Sequence, residues 1–111
     1  MDILFKNDAL RDVLTKHKKT VQKFGDRQAR KLRRRLDDLR AAPSLEAMRR
    51  LPGRCHELRG DRKDYLSLDL VHPRRLLFVP ATDPAPVKPD GGLDWSGVRA
   101  VRVLGVEDTH E

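Results

Sequence analysis

Cysteine is almost missing from this chain: Cys55 is the one thiol in 111 residues. No intrachain disulfide can form, which fits a reducing compartment. Aromatic residues are scarce at 5%. The single tryptophan, Trp95, does not make a base-stacking platform and reads as a packing group or an anchor for its loop. Long apolar runs are lacking too. No stretch approaches the roughly 18 apolar residues that suggest a membrane helix. The opening residues MDILFKNDAL have neither the basic leader nor the apolar segment of a signal peptide. A soluble, cytoplasmic protein without a membrane partner is expected. Sharp chemical motifs are also wanting. Gly91-Gly92 lacks the partners of a phosphate-binding loop. There is no paired-cysteine zinc site and no HExxH, and His17, His56, His72 and His110 are scattered. No metal and no other cofactor is expected.

What the chain does carry is charge. Lys plus Arg number 24 against 17 for Asp plus Glu, a formal +7 with a pI near 10.1. That balance points to polyanionic partners. Apolar residues make up 38% and charged residues 37%. The expectation is one domain over residues 1–111, with an economical core and an ionic surface.

Periodicity sets the organisation. Residues 2–5 (DILF) read as a first strand, and Asn7 or Asp8 can cap a helix. Leu10, Val13, Leu14, His17 and Val21 recur at helical spacing, and Gly25 ends that helix. Asp26 can cap a second helix, in which Ala29, Leu32, Leu36 and Leu39 form the strongest stripe of the chain. Pro43 ends it, since the residue before a proline is pushed out of the α region. A helical turn over Leu45 to Arg50 follows. After Gly53 the period changes to two. Residues 54–59, 65–71, 75–79 and 98–107 read as strands, with 75–79 (RLLFV) apolar on both faces as in a central strand. A proline-rich loop over residues 80–97 separates the last two and is long for a compact domain. Helices first and antiparallel strands after give an α+β architecture.

The residue chemistry by itself leaves several readings open. Arg30, Arg33 and Arg34 on the second helix either track phosphates, releasing counterions as they do, or form a solvated helix face. His56 sits on a strand in alternation with Leu58 and suits a structural histidine as well as a catalyst. His110 suits a frayed tail. Cys55 suits a small buried filler, and Asp69 and Asp108 suit surface or turn positions.

One stretch goes further. Residues 53–79, GRCHELRGDRKDYLSLDLVHPRRLLFV, resemble the central segment of the HigB toxins, a branch of the RelE/ParE superfamily. The pieces are HELRGDR, the strand YLSLDL and the arginine-opened strand RRLLF. The closing VEDTHE is similar to the family's E-D-Y-H. The order of elements fits as well, so the likeness covers nearly the whole chain.

The resemblance implies a RelE-like α+β fold, with an N-terminal strand and a helical hairpin packed on a small, mainly antiparallel sheet. It implies a type II toxin that enters the ribosome and cuts messenger RNA without a metal, the 2′-hydroxyl attacking the adjacent phosphate. It also implies a helix-turn-helix antitoxin of the HigA type, with operator DNA reached only through the antitoxin complex. Carried over by motif, His56, Asp108, His110 and Arg75 are the expected catalytic residues, and Arg59 an expected RNA contact. These residue types suit the chemistry. Histidine titrates in the range of either proton role, and arginine offers a planar fork for phosphate oxygens. Thr109 replaces the family's tyrosine and removes a ring able to stack on a base. The loop over residues 80–97 is longer than in many members. The alternatives are an inactive or ParE-like toxin acting by binding a protein such as gyrase, and a basic nucleic-acid-binding module without catalysis. Reversing the charge of Arg30, Arg33 and Arg34 together is expected to weaken RNA or ribosome binding and flatten its salt dependence, measured by filter binding across a salt series.

Overall fold

The computed structural model describes residues 1–108. Strand β1 spans Asp2–Phe5, and Asn7 caps the helix after it, its side chain accepting from the Leu10 N–H at 2.8 Å. The first helical segment is broken where the sequence pattern runs on. Helix α1 covers Asp8–Thr15 and α2 covers His17–Phe24, with Lys16 between them in extended geometry. The break follows from Thr20, which the apolar pattern did not include. Its hydroxyl is buried and donates to the Val13 carbonyl at 2.6 Å, satisfying the end of α1 from one turn into α2. His17, placed on the apolar stripe by spacing, is exposed.

Gly25, with φ +85°, joins α2 to α3, Asp26–Ala41. Asp26 is therefore the first residue of α3 rather than its cap, and it pairs with Arg30 one turn on at 2.9 Å. The predicted stripe of Ala29, Leu32, Leu36 and Leu39 is buried. Gln28 and Arg35 are buried beside it. A 3₁₀ turn follows over Leu45–Arg50.

The remaining strands are β2 His56–Glu57, β3 Leu66–Asp69, β4 Arg74–Pro80 and β5 Ala100–Asp108. β2 is far shorter than the expected strand over residues 54–59. Gly53 and Arg54 take positive φ values of +114° and +50°, which no ladder accommodates, and Gly60 turns the chain at the other end. Among the described residues the sheet has the order β1-β5-β4-β3-β2. β1 runs parallel to β5 and the other pairs are antiparallel. β4 lies in the middle, as its two apolar faces require. A bulge between Leu77 and Phe78 shifts the register on β5, with Gly105 opposite Leu77 and Val103 opposite Phe78. The fold is thus α+β, with α1, α2 and α3 packed on one face of the sheet. Leu14, Leu32, Leu36 and Leu39 meet Leu66, Leu68, Leu76, Phe78, Val101 and Val103 in one core.

Two polar side chains of α3 dock the helix onto the β3–β4 connection. The Gln28 amide takes both backbone groups of Val71, donating to its carbonyl at 3.2 Å and accepting from its N–H at 2.8 Å. Arg35 donates from Nε to the Asp69 carbonyl at 2.9 Å. Gly53 makes room for that arginine, since a Cβ there would lie 2.8 Å from Arg35 Nε. Gly53→Ala is therefore expected to combine backbone strain with displacement of Arg35. It should cost roughly 1–3 kcal/mol, seen as a lower urea midpoint with an unchanged slope.

Candidate active site on the open face of the sheet

Strand alternation sends every second side chain away from the helices. On that face, open in the sense that α1, α2 and α3 lie on the other side, one row across the sheet is His56, Ser67, Leu77 and Gly105, in which Ser67 and Leu77 are buried, and another is Asp69, Arg75 and Glu107. His56 and Arg75 therefore share a face, brought together by β3, although 19 residues separate them in the chain. Asp69 was read as a surface or turn group. Its carboxylate instead holds two arginines, Arg75 Nε at 3.2 Å and Arg54 Nε at 3.1 Å. The Arg75 side chain is only 13% exposed, so its planar group is held in place at the surface of the sheet rather than left to swing.

His56 is half-buried. Its Nδ1 lies 2.7 Å from the Arg54 carbonyl. A carbonyl only accepts, so in the neutral tautomer Nδ1 carries the hydrogen and Nε2 is the accepting ring atom, itself buried from solvent. Ser67, opposite His56, was placed on the polar side of its strand. It is on that side, yet it is fully buried, and its hydroxyl has no partner among the described residues.

A second ion pair joins the two motifs that carried the family resemblance. Arg62, from HELRGDR, forks onto Glu107, from VEDTHE, at 3.1 and 2.7 Å. Neither residue was singled out in the sequence; two charges 45 positions apart give no local signal. Arg62 draws the Glu107 carboxyl below its ordinary value through the hydrogen bonds it donates. With Tyr65, Leu77, Leu104 and Lys6 the pair lines a concavity of about 450 Å³ on the same face.

The other expected residues are distributed differently. Asp108 pairs in register with Arg74, in a row facing the helix side, so it does not share a face with His56. His110 and Thr109 lie outside the described residues. Arg59 is exposed at the start of the Gly60–Arg62 turn. Arg30, Arg33 and Arg34 are exposed on α3, in the layer behind the sheet. Arg33 lines a cleft of about 290 Å³ between α3 and the α1–α2 pair. These three form a separate basic surface and are not part of the His56 cluster. Burial pushes the Cys55 thiol up to about 12, which removes it as a thiolate nucleophile. Among the described residues no group of three or more His, Cys, Asp or Glu is placed to hold a metal ion. No helix among them is long and apolar enough to cross a membrane.

No family model and no curated protein matches the chain. Solved structures do match its fold. A YoeB/ParE toxin from Agrobacterium tumefaciens superposes with a TM-score of 0.60 at 13% identity, over 99% of this chain and 100% of that one. A YoeB dimer from Staphylococcus aureus gives 0.54 at 16% identity, and the YoeB–YefM complex from the same organism 0.56 at 14%. Both cover 100% of this chain and 98% of theirs. The likeness is one of fold, from end to end.

The Arg62–Glu107 pair has a definite pH signature. A carboxylate whose folded pKa is lowered contributes stability above its unfolded pKa, and that contribution is lost as pH falls through the folded value. Glu107→Gln is therefore expected to melt below the wild type at pH 7. The gap should close as pH drops through the carboxylate range, read by thermal melts from pH 7 to 3.

Proposed function

We propose that this chain is the toxin of a toxin–antitoxin pair and that it cuts RNA on the open face of its sheet. The observation that carries the reading is the cluster of His56, Arg54, Arg75 and Asp69, set on a fold that YoeB and ParE toxins share along their whole length. The motifs HELRGDR, RRLLF and VEDTHE support a reading nearest the HigB branch, as one toxin domain over residues 1–111.

In the proposed reaction the 2′-hydroxyl of one nucleotide loses its proton to a base, and its oxygen bonds to the adjacent phosphorus. The bond from phosphorus to the 5′-oxygen breaks, and that oxygen takes a proton, leaving a 2′,3′-cyclic end. His56 serves one proton role. His110 serves the other and enters on its motif alone. Arg75 and Arg54 stabilise the charge growing on the phosphorane oxygens, and Arg59 holds the neighbouring backbone. Asp69 keeps the two guanidiniums aimed. Asp108 faces the other side and, like His110, enters on its motif alone. No step calls on a metal. The arginine surface of α3 binds ribosomal or messenger phosphates away from the cut. The antitoxin is a small helix-turn-helix protein of the HigA type, as the HigB-like motifs imply, a YoeB of similar fold being found in a complex with YefM, and the site of action is the ribosome in the cytoplasm.

Inducing the chain without its partner is expected to arrest growth and to leave translated messages with 2′,3′-cyclic ends. His56→Ala and Arg75→Ala should each slow cleavage by about 10²- to 10⁴-fold. Wild-type cleavage by His56→Ala, Arg75→Ala and His110→Ala would overturn the assigned site. Intact messages with rising DNA-damage signalling would instead support the ParE-like reading.

A further inference from the structure

We propose that Trp95 is a positioning residue for His56, acting through Glu57. This rests on the cleavage reading above and adds to it a role for the proline-rich loop.

The argument begins with the weakness of β2. It has two residues and, among the described residues, lies at the edge of the sheet with β3 as its strand neighbour. It is entered through two positive-φ residues, Gly53 and Arg54, and left through a third, Gly60. Its ladder is confined to His56 opposite Ser67, Glu57 opposite Leu66 and the Leu58 N–H on the Tyr65 carbonyl at 2.9 Å. A short edge strand with so few main-chain bonds belongs to the part of a fold that opens first. The Arg54 carbonyl holds the His56 ring at 2.7 Å, and the strand that carries the ring takes a further restraint of its own.

Trp95 supplies one from the far side. It belongs to the core, at 3% exposed, and its indole N–H donates to Glu57 Oε2 at 3.0 Å across 38 residues. An indole has one donor and no acceptor, so burial commits it to this bond, and the carboxylate makes the bond charge-assisted. The tryptophan is itself immobilised. The Arg49 guanidinium stacks on its ring at 3.7 Å while Arg49 Nε is held by Glu46 at 3.0 Å. Asp94 caps the turn that carries it, and the Val98 carbonyl accepts from the Leu45 N–H at 2.9 Å. Successive side chains of a strand point to opposite faces. Fixing Glu57 on the helix side therefore fixes the peptide whose other side chain is His56. The last third of the long loop is a brace for the histidine strand, while Val87 near its tip is 63% exposed and takes no part.

Trp95→Phe keeps the ring under Arg49 and removes the donor, Glu57→Leu removes the acceptor, and Glu57→Gln keeps an amide oxygen in its place. The readouts are single-turnover cleavage on programmed ribosomes and the ring resonances of His56 by NMR. Trp95→Phe and Glu57→Leu are expected to lower kcat roughly ten- to hundredfold with KM nearly unchanged. Both should shift or broaden the His56 signals, and Glu57→Gln should restore most of both. Wild-type kcat with unmoved His56 signals in Trp95→Phe, whatever its melting temperature, would overturn the proposal. If Trp95→Phe does not fold, the contrast between Glu57→Leu and Glu57→Gln decides on the same two readouts. If the wild type does not cut RNA, the cleavage reading fails, and unmoved His56 signals in these variants then sink the brace separately.

Discussion

Asp69 is engaged by every polar group it has. Its N–H donates to the Gly53 carbonyl at 2.7 Å and its carbonyl accepts from Arg35 at 2.9 Å. Its carboxylate holds Arg54 and Arg75. One residue thereby links the core helix, the segment entering β2, and the strand that carries the arginine of the open face. Hydrogen bonds with a charged partner are the stronger ones, and a buried arginine left unpaired is costly. The arrangement is therefore held as a unit. Gln28 extends the grip to Val71, so that α3 grasps the backbone of the β3–β4 connection from Asp69 to Val71. The Arg54–Asp69–Arg75 part of the open face is tied to the core through that contact.

The formal charge of +7 is divided by the sheet. On the helix side, Arg30, Arg33 and Arg34 lie on α3 among carboxylates at Asp26 and Asp37. On the open side, Arg54, Arg62 and Arg75 are each paired with Asp69 or Glu107. The two surfaces differ in kind. Exposed helix arginines act through net charge and are screened by salt. The open-face guanidiniums are oriented by their carboxylate partners.

Much of the fold was legible. The stripe on α3 and the two-sided apolar character of β4 are dense local signals, and both elements stand where the spacing puts them. Errors fell where a distant or single group decides. One buried hydroxyl, Thr20, split a helix that periodicity joined. Two positive-φ residues cut β2 to His56 and Glu57. Of the candidate site, His56 and Arg75 were named from motif and do share a face, whereas Asp108 was named from the same source and does not. Facing alternates with every residue along a strand, so Glu107 shares the face of His56 and its neighbour Asp108 does not.

The sequence by itself determined the α+β order of elements, the core stripe, the basic balance and the motifs that bear the family likeness, because each is a property of neighbours along the chain. Tertiary structure decided that Asp69 holds two arginines, that Arg62 and Glu107 join the motif ends, that Trp95 bonds Glu57 beside His56, and that the arginines of α3 stand apart from the His56 cluster. Each depends on hydrogen-bond geometry between segments far apart in the chain, which residue order does not encode locally.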